Sequence, residues 1–188
     1  MMNSQKYLKL LSNTFPTARK AASEIINLSA NLNLPKGTEH FISDIHGEYE
    51  AFNHILKNGS GSIAKKVDDE FSEELTKKQK KSLCTLIYYP EEKLELIEKT
   101  EKDFYGWCKQ TLLYLIRITR RMVSKYNRIK VKAAVKPEYE YIIDELLSER
   151  AEVPDKKLYY GEIIQAIIET ESARHTYPSF AALFKRLP

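Results

Sequence analysis

One short apolar strand, predicted in a chain that otherwise has helical periodicity, is the feature that most constrains the fold. Residues 39–43 are predicted to be extended, and they follow the helix breakers Pro35 and Gly37. A single strand cannot form a sheet, so its hydrogen-bonding edges need partners. Those partners would come from another part of a longer chain or from another molecule. We therefore expect a mainly α-helical segment that carries one strand of an incomplete α/β structure.

Apolar residues recur at helical spacing in most of the remaining chain, and glycine is scarce. Helices are predicted at residues 17–32, from Gly47 onward, and at 62–71, 77–88, 91–99, 104–135, 138–150 and 157–171. In the helix after Gly47, four apolar side chains are expected to pack on the strand, namely those of Ala51, Phe52, Ile55 and Leu56. Prolines fall at the predicted boundaries, where they are tolerated.

Composition narrows the class of protein. The 188 residues suffice for one ordinary domain or two small ones, and the net charge is only +4. No apolar run is long enough for a secretory signal or a membrane span. Cys84 and Cys108 are the only cysteines, and without a secretory signal they are expected to be free thiols in the cytoplasm.

A carboxylate and an imidazole follow the predicted strand, in the sequence Asp44-Ile45-His46-Gly47. Because side chains two residues apart on a strand project the same way, Asp44 and His46 are expected to face one side. Oxygen and nitrogen donors together suit a transition-metal ion such as Mn, Fe or Zn, and α/β proteins build sites at this end of a strand. Two donors cannot complete a catalytic metal site. The alternative, that Asp44 only caps the following helix, stays open.

A glycine-rich turn occupies residues 58–61. Its backbone N–H groups could bind a phosphate, although it lacks the Lys-Ser/Thr ending of a P-loop. A plain turn between helices is the favoured interpretation. The remaining histidines, His40, His54 and His175, are interpreted as packed or surface residues rather than metal ligands.

A basic helical face is predicted in residues 104–137, which contain no acidic residue. It carries Arg117, Arg120, Arg121, Lys125, Arg128 and Lys132, opposite an apolar face. A solvated face over a packed one is the favoured interpretation. The alternative is an anion-binding surface for a phosphorylated metabolite or nucleic acid. The modest net charge makes nucleic acid the weaker of these.

The sequence around Asp44 resembles a known family. Residues 34–52, Leu-Pro-Lys-Gly-Thr-Glu-His-Phe-Ile-Ser-Asp-Ile-His-Gly-Glu-Tyr-Glu-Ala-Phe, and residues 58–61, Asn-Gly-Ser-Gly, resemble the class 3 fructose-1,6-bisphosphatases of Firmicutes and related bacteria. Further agreement lies in residues 86–94, Trp107, residues 124–126 and the pair Tyr159-Tyr160. The resemblance extends from about residue 7 to residue 171.

This resemblance implies a calcineurin-like metallophosphatase with a two-metal site that usually holds Mn²⁺. The implied activity is hydrolysis of the 1-phosphate of fructose 1,6-bisphosphate in gluconeogenesis. In that superfamily the Asp and His of an Asp-x-His motif bind one metal, so these roles are implied for Asp44 and His46. The implied fold is a mainly helical segment that carries the first strand of the α/β metallophosphatase sandwich.

The chain lacks the other motifs of the superfamily, which are Gly-Asp-x-x-Asp-Arg-Gly, Gly-Asn-His-Asp/Glu and two later histidines. It is therefore expected to correspond to the N-terminal part of such an enzyme and to be inactive alone. Residues 1–36 would be a helical lead-in, 37–62 the first strand, loop and helix of the core, 63–174 a helical insertion and 175–188 a divergent tail. The competing hypothesis is a non-catalytic helical module that binds a partner or a second copy of itself.

Overall fold

The computed structural model describes residues 4–37, 39–148, 156–170 and 172–187. These residues form eleven α-helices and one 3₁₀ helix, and none of them lies in a β-strand. The α-helices are α1 (Ser4–Thr14), α2 (Ala18–Asn31), α3 (Tyr49–Asn58), α4 (Ser62–Glu70), α5 (Lys77–Tyr88), α6 (Pro90–Thr100), α7 (Phe104–Val123), α8 (Arg128–Ala133), α9 (Glu140–Ser148), α10 (Lys157–Glu169) and α11 (Ala173–Arg186). The 3₁₀ helix is Pro137–Tyr139. The chain divides into two compact units, Met1–Lys36 and Gly37–Pro188.

The first unit contains α1 and α2. Thr17 begins α2, since its side-chain oxygen accepts a hydrogen bond of 3.2 Å from the backbone N–H of Lys20. Neither helix has a buried residue, and Leu10, Ile26 and Leu32 are all largely exposed. The predicted helix at residues 17–32 is confirmed, but within the described part of the chain none of its apolar side chains is buried.

Helices α4 to α11 form the core of the second unit. The central helix is α7, whose apolar spacing buries seven side chains, Cys108, Leu112, Leu115, Ile116, Ile118, Thr119 and Met122. Helix α11 packs against α5, α6, α7 and α10 and buries Tyr177, Phe180 and Leu183 almost completely. Residues 175–188 were expected to form a divergent tail; the described part of this segment belongs mostly to α11, one face of which is buried against the other helices.

The predicted strand at residues 39–43 is wrong. The chain there has no regular secondary structure, and Phe41 is 92% exposed. A strand exists only when a neighbouring strand accepts and donates its backbone hydrogen bonds, and the described residues offer no such neighbour. The predicted packing of α3 on that strand fails for the same reason: no residue of α3 is buried, and the helix packs against α4 and α5 instead.

The single helix predicted at residues 104–135 is two helices. The first ends at Val123, and the second begins after Asn127, whose side-chain oxygen accepts a hydrogen bond of 2.8 Å from the N–H of Lys130. Asparagine in this position starts a new helix because its side chain satisfies a backbone donor of the first turn. The break turns α8 so that its basic residues meet α9.

The other helix predictions are confirmed to within a few residues. Helix α5 has the predicted bounds, and Thr76 and Gln79 form a reciprocal capping box at its start. Helices α4, α6, α9 and α10 match predicted segments, although residues 149, 150 and 171 lie outside the described part of the chain. In the described ranges no helix is long and apolar enough to cross a membrane.

Candidate metal centre

Asp44 and His46 meet in a left-handed turn. The turn forms because Asp44, His46 and Gly47 adopt positive φ angles of 64°, 52° and 75°. Glycine reaches this region freely and Asp tolerates it, but a left-handed His costs on the order of 1 kcal/mol. Hydrogen bonds of 3.1 Å from the N–H of Glu48 to the Ile45 carbonyl and of 2.9 Å from the N–H of Tyr49 to the Gly47 carbonyl close the turn and lead into α3.

The two side chains face each other. Asp44 Oδ1 lies 2.9 Å from His46 Nε2, and the two side chains are 79% and 73% exposed. The two side chains were expected to project the same way along a strand; the strand is absent from the described residues, and a turn brings them together instead. The contact joins a carboxylate oxygen and an imidazole nitrogen, which are the two atoms that would bind a metal ion.

This spacing fits two ligands of one metal ion. Donor atoms about 2.1 Å from an ion and about 90° apart would be separated by about 3.0 Å. One carboxylate oxygen and one imidazole nitrogen suit Mn, Fe or Zn. Within the described ranges, however, no group of three or more His, Cys, Asp or Glu side chains is arranged to hold a metal. The pair therefore fits two positions of a coordination shell, and the remaining ligands do not come from these residues.

The turn at residues 58–61 uses its own backbone donors. The N–H of Ser60 donates to the Ile55 carbonyl at 3.1 Å, that of Gly61 to Asn58 Oδ1 at 3.1 Å, and that of Ser62 to the Gly59 carbonyl at 3.0 Å. Gly59 and Gly61 have φ values of 56° and 81°, which closes α3 and opens α4. These contacts favour the plain turn, because the amides that would hold a phosphate are already satisfied.

Packing explains two of the three other histidines. His54 Nδ1 lies 2.7 Å from the Tyr89 hydroxyl, and its ring meets Tyr88 edge to face. His175 stacks on Tyr139 at a ring-centroid separation of 6.4 Å. His40 lies in the irregular segment, away from any cluster of metal-ligating side chains within the described residues.

Most of the basic face of α7 and α8 is neutralised by acids from other helices. Arg117 pairs with Glu70 at 3.0 Å and with Glu74 at 2.6 Å, and Arg121 pairs with Glu70 at 2.9 Å. Burial alone would raise the pKa of Glu70, but hydrogen bonds from Arg121 and Arg117 outweigh it and hold that pKa below its usual value. The carboxylate is therefore a fixed counter-ion at this face.

The same neutralisation continues on α8. Arg128 holds both carboxylate oxygens of Asp144, at 2.9 and 2.6 Å, and Lys132 lies 3.3 Å from the same carboxylate. The hydrogen bond from Arg128 is the main reason that the pKa of Asp144 is lowered. Arg120 donates to the Leu146 carbonyl at 3.1 Å. These pairings favour a solvated structural face over an anion-binding surface, because the cations are already engaged.

The cysteines are free and buried, as expected for packed thiols. Burial is the main cause that raises the pKa of Cys108 to about 11 and also raises that of Cys84. A thiol with a raised pKa carries little thiolate at neutral pH, which favours the interpretation of both cysteines as packed residues.

The chain belongs to the Firmicute fructose-1,6-bisphosphatase family, whose model matches residues 6–188. It is 54% identical over 182 residues to a protein of Clostridium acetobutylicum named fructose-1,6-bisphosphatase class 3, and 52% identical over 182 residues to one of the same name from Clostridium botulinum strain Hall. In both cases the match covers 97% of this chain and 27% of the relative, so the chain spans about a quarter of the length of these proteins. The family model also matches residues 175–188, for which the sequence analysis found no resemblance to this family. No solved structure matches significantly.

Proposed function

We propose that this chain provides part of the metal site of a fructose-1,6-bisphosphatase that hydrolyses the 1-phosphate of fructose 1,6-bisphosphate in gluconeogenesis. The observation that carries the proposal is the Asp44–His46 pair, whose donor atoms are 2.9 Å apart in a chain of this family. Asp44 and His46 would bind Mn²⁺, and ligands from the rest of a longer polypeptide would complete the site. Because the substrate is a metabolite of the cytoplasm, the proposal places the enzyme there.

The pair has a defined task in this proposal. When bound, the metal would supply positive charge that stabilises the negative charge developing on the transferred phosphoryl group. Asp44 would contribute a charged oxygen, and His46 would contribute Nε2 once its proton is lost. The two donor atoms already lie 2.9 Å apart. The left-handed turn keeps both donors at ligand spacing before metal arrives.

The chain alone is proposed to be inactive, since two ligands cannot hold and orient a catalytic metal. We expect the 188-residue chain, supplied with Mn²⁺ and fructose 1,6-bisphosphate, to release no more phosphate than a heat-treated sample. A colorimetric phosphate assay measures this. Release well above the heat-treated control would refute the idea that most of the site lies elsewhere.

In a longer enzyme that contains this chain, His46→Ala should remove most of the activity. Loss of a direct metal ligand weakens the metal and misplaces the groups around it, and even changes to supporting residues cost about 10- to 100-fold. The matched control is His175→Ala, which removes an exposed imidazole that only stacks on Tyr139. Near-normal turnover of His46→Ala at limiting Mn²⁺, with His175→Ala unchanged, would remove His46 from the metal site.

The second candidate is a non-catalytic helical module that binds a partner or itself. It is favoured by apolar side chains that are exposed in the segment before α3 and at the start of that helix, among them Phe41 at 92% and Tyr49 at 73%. Exposed apolar patches recruit other chains. We expect light scattering to show dimers or larger species that dissociate when Phe41 is replaced by Ser. A stable monomer at high concentration would count against self-association.

A further inference from the structure

A cavity of about 370 Å³ lies beside the turn at residues 58–61, within the second unit. Its floor is apolar, formed in part by Ile63, Met122 and Phe184. Lys66 from α4 and Lys185 from α11 line it, together with Ser60 and Ser62. Neither Asp44 nor His46 belongs to its lining, so the cavity is separate from the metal pair.

The two cavity lysines are held in an unfavourable environment. Burial, and then repulsion from Lys125, lowers the pKa of Lys66. Burial and repulsion from Lys57 lower the pKa of Lys185, although Glu91 and Glu92 act in the opposite direction. Within the described residues, no carboxylate lies within 4 Å of either ammonium group. Two lysines thus line the cavity, each is repelled by a further lysine, and neither has a carboxylate of the described residues within 4 Å.

This arrangement contrasts with the basic residues of α7 and α8. There the arginines are matched by Glu70, Glu74 and Asp144 at 3.0 Å or less. The acids that form short ion pairs with these arginines lie on that face, whereas the cavity lining contains one carboxylate, that of Glu39. Glu39 and His40 also line the cavity, and the rest of its polar lining consists of donors. Desolvated ammonium groups without a counter-ion are stabilised by an anion that enters between them.

We propose that this cavity binds a small phosphate-bearing anion between Lys66 and Lys185, with Ser60 and Ser62 as neutral hydrogen-bond donors. The volume is at the lower end for small-molecule sites, which suits one phosphorylated metabolite and not a polymer. The apolar floor would contact the carbon skeleton of such a ligand. The turn amides take no part, because they are bonded within the turn.

The test measures binding of inorganic pyrophosphate, and separately of fructose 1,6-bisphosphate, to the 188-residue chain by calorimetry. Lys66→Gln should weaken binding about tenfold or more, which is a loss of about 1.4 kcal/mol. The matched control is Lys65→Gln, which removes an exposed lysine from the same helix and should change binding less than about twofold. His46→Ala should bind both probes normally. Tighter binding of the sugar bisphosphate would assign the cavity to sugar phosphates, and equal binding would assign it to the phosphate group alone.

The second measurement is the shift in unfolding temperature that the ligand causes. Because each variant is compared with itself without ligand, differences in stability between variants do not affect the result. Pyrophosphate should raise the unfolding temperature of the unsubstituted chain, since a ligand of the folded state stabilises it, and should not raise that of Lys66→Gln. Sodium chloride at equal ionic strength should have little effect. The proposal is overturned by no binding at millimolar pyrophosphate, by equal losses in Lys65→Gln and Lys66→Gln, or by the same stabilisation from sodium chloride. Loss of binding in His46→Ala would instead assign the phosphate to the metal pair.

Discussion

In the second unit, one part carries the candidate metal ligands and a neighbouring part contains the apolar core. Residues 39–49, which we call the ligand segment, carry Asp44 and His46 but bury no side chain. The helical body, α4 to α11, buries an extensive apolar core and neutralises its arginines with its own acids. The contrast indicates that the ligand segment is shaped by local backbone turns, whereas the body is shaped by packing. The candidate metal ligands therefore lie in a segment whose side chains are not packed in the core.

The largest expected effect of a substitution lies in the body. Phe180→Ala should lower the free energy of unfolding by about 3–5 kcal/mol, because Phe180 is fully buried between α11 and its neighbours. Phe41→Ala, at a 92% exposed position in the ligand segment, should change it by less than about 0.5 kcal/mol. Urea unfolding followed by circular dichroism measures both. Similar losses in the two variants would mean that the ligand segment shares the core.

Glu70→Gln should have an intermediate effect, with a pH dependence that identifies its cause. The variant loses the ion pairs of Glu70 with Arg117 and Arg121 and should cost about 1 kcal/mol at pH 7. Because the pKa of Glu70 is lowered from 4.5 in the folded chain, its contribution is present above that value and is lost as the pH falls through the lower folded pKa.

Unfolding at a series of pH values tests this sign. The difference between the unsubstituted chain and Glu70→Gln should shrink as the pH falls below about 4.5, the ordinary value for this group. Glu73→Gln is the control, since it removes a neighbouring exposed carboxylate for which no ion pair is formed with described residues. A difference that stays constant down to pH 3 would show that the pairs do not stabilise the body.

The smallest expected effect on stability comes from the metal pair itself. Asp44→Ala should change the free energy of unfolding by less than about 0.5 kcal/mol, because a contact between two exposed polar side chains contributes little. Thermal unfolding without metal provides the measurement. A loss above about 1 kcal/mol would contradict the division of roles, since it would make Asp44 a structural residue of the body.

Helix bounds that depend on local sequence signals were predicted correctly. The strand, which depends on contacts between distant parts of the chain, was not. The bounds of α5 were predictable because Thr76 and Gln79 form a capping box before an apolar periodicity. Asn127, a helix-starting residue inside the basic run, was the signal that could have shown the break between α7 and α8. The strand at residues 39–43 failed because a strand depends on a partner that local sequence does not reveal.

The two candidate sites differ in the same way. Asp44 and His46 were found because both ligands lie within three residues and in a recognisable motif. Their left-handed turn was not predicted, because Gly47 is the one residue of the three whose type favours a positive φ angle. No pattern marks Lys66 and Lys185, which come from distant parts of the chain and meet only because α11 packs into the body. For the basic face, an anion-binding surface stayed open as the alternative because acids that pair with it come from α4 and α9, outside the basic run.

Paramagnetic line broadening by Mn²⁺ tests the central claim most directly. Dilute Mn²⁺ added to the 188-residue chain should broaden the nuclear magnetic resonance signals of Asp44 and His46 before those of His54 and His175, because only the first pair presents two donors at ligand spacing. His46→Ala should abolish the selective broadening. Equal broadening of all four residues, or none at Asp44 and His46, would contradict the assignment of this pair as metal ligands.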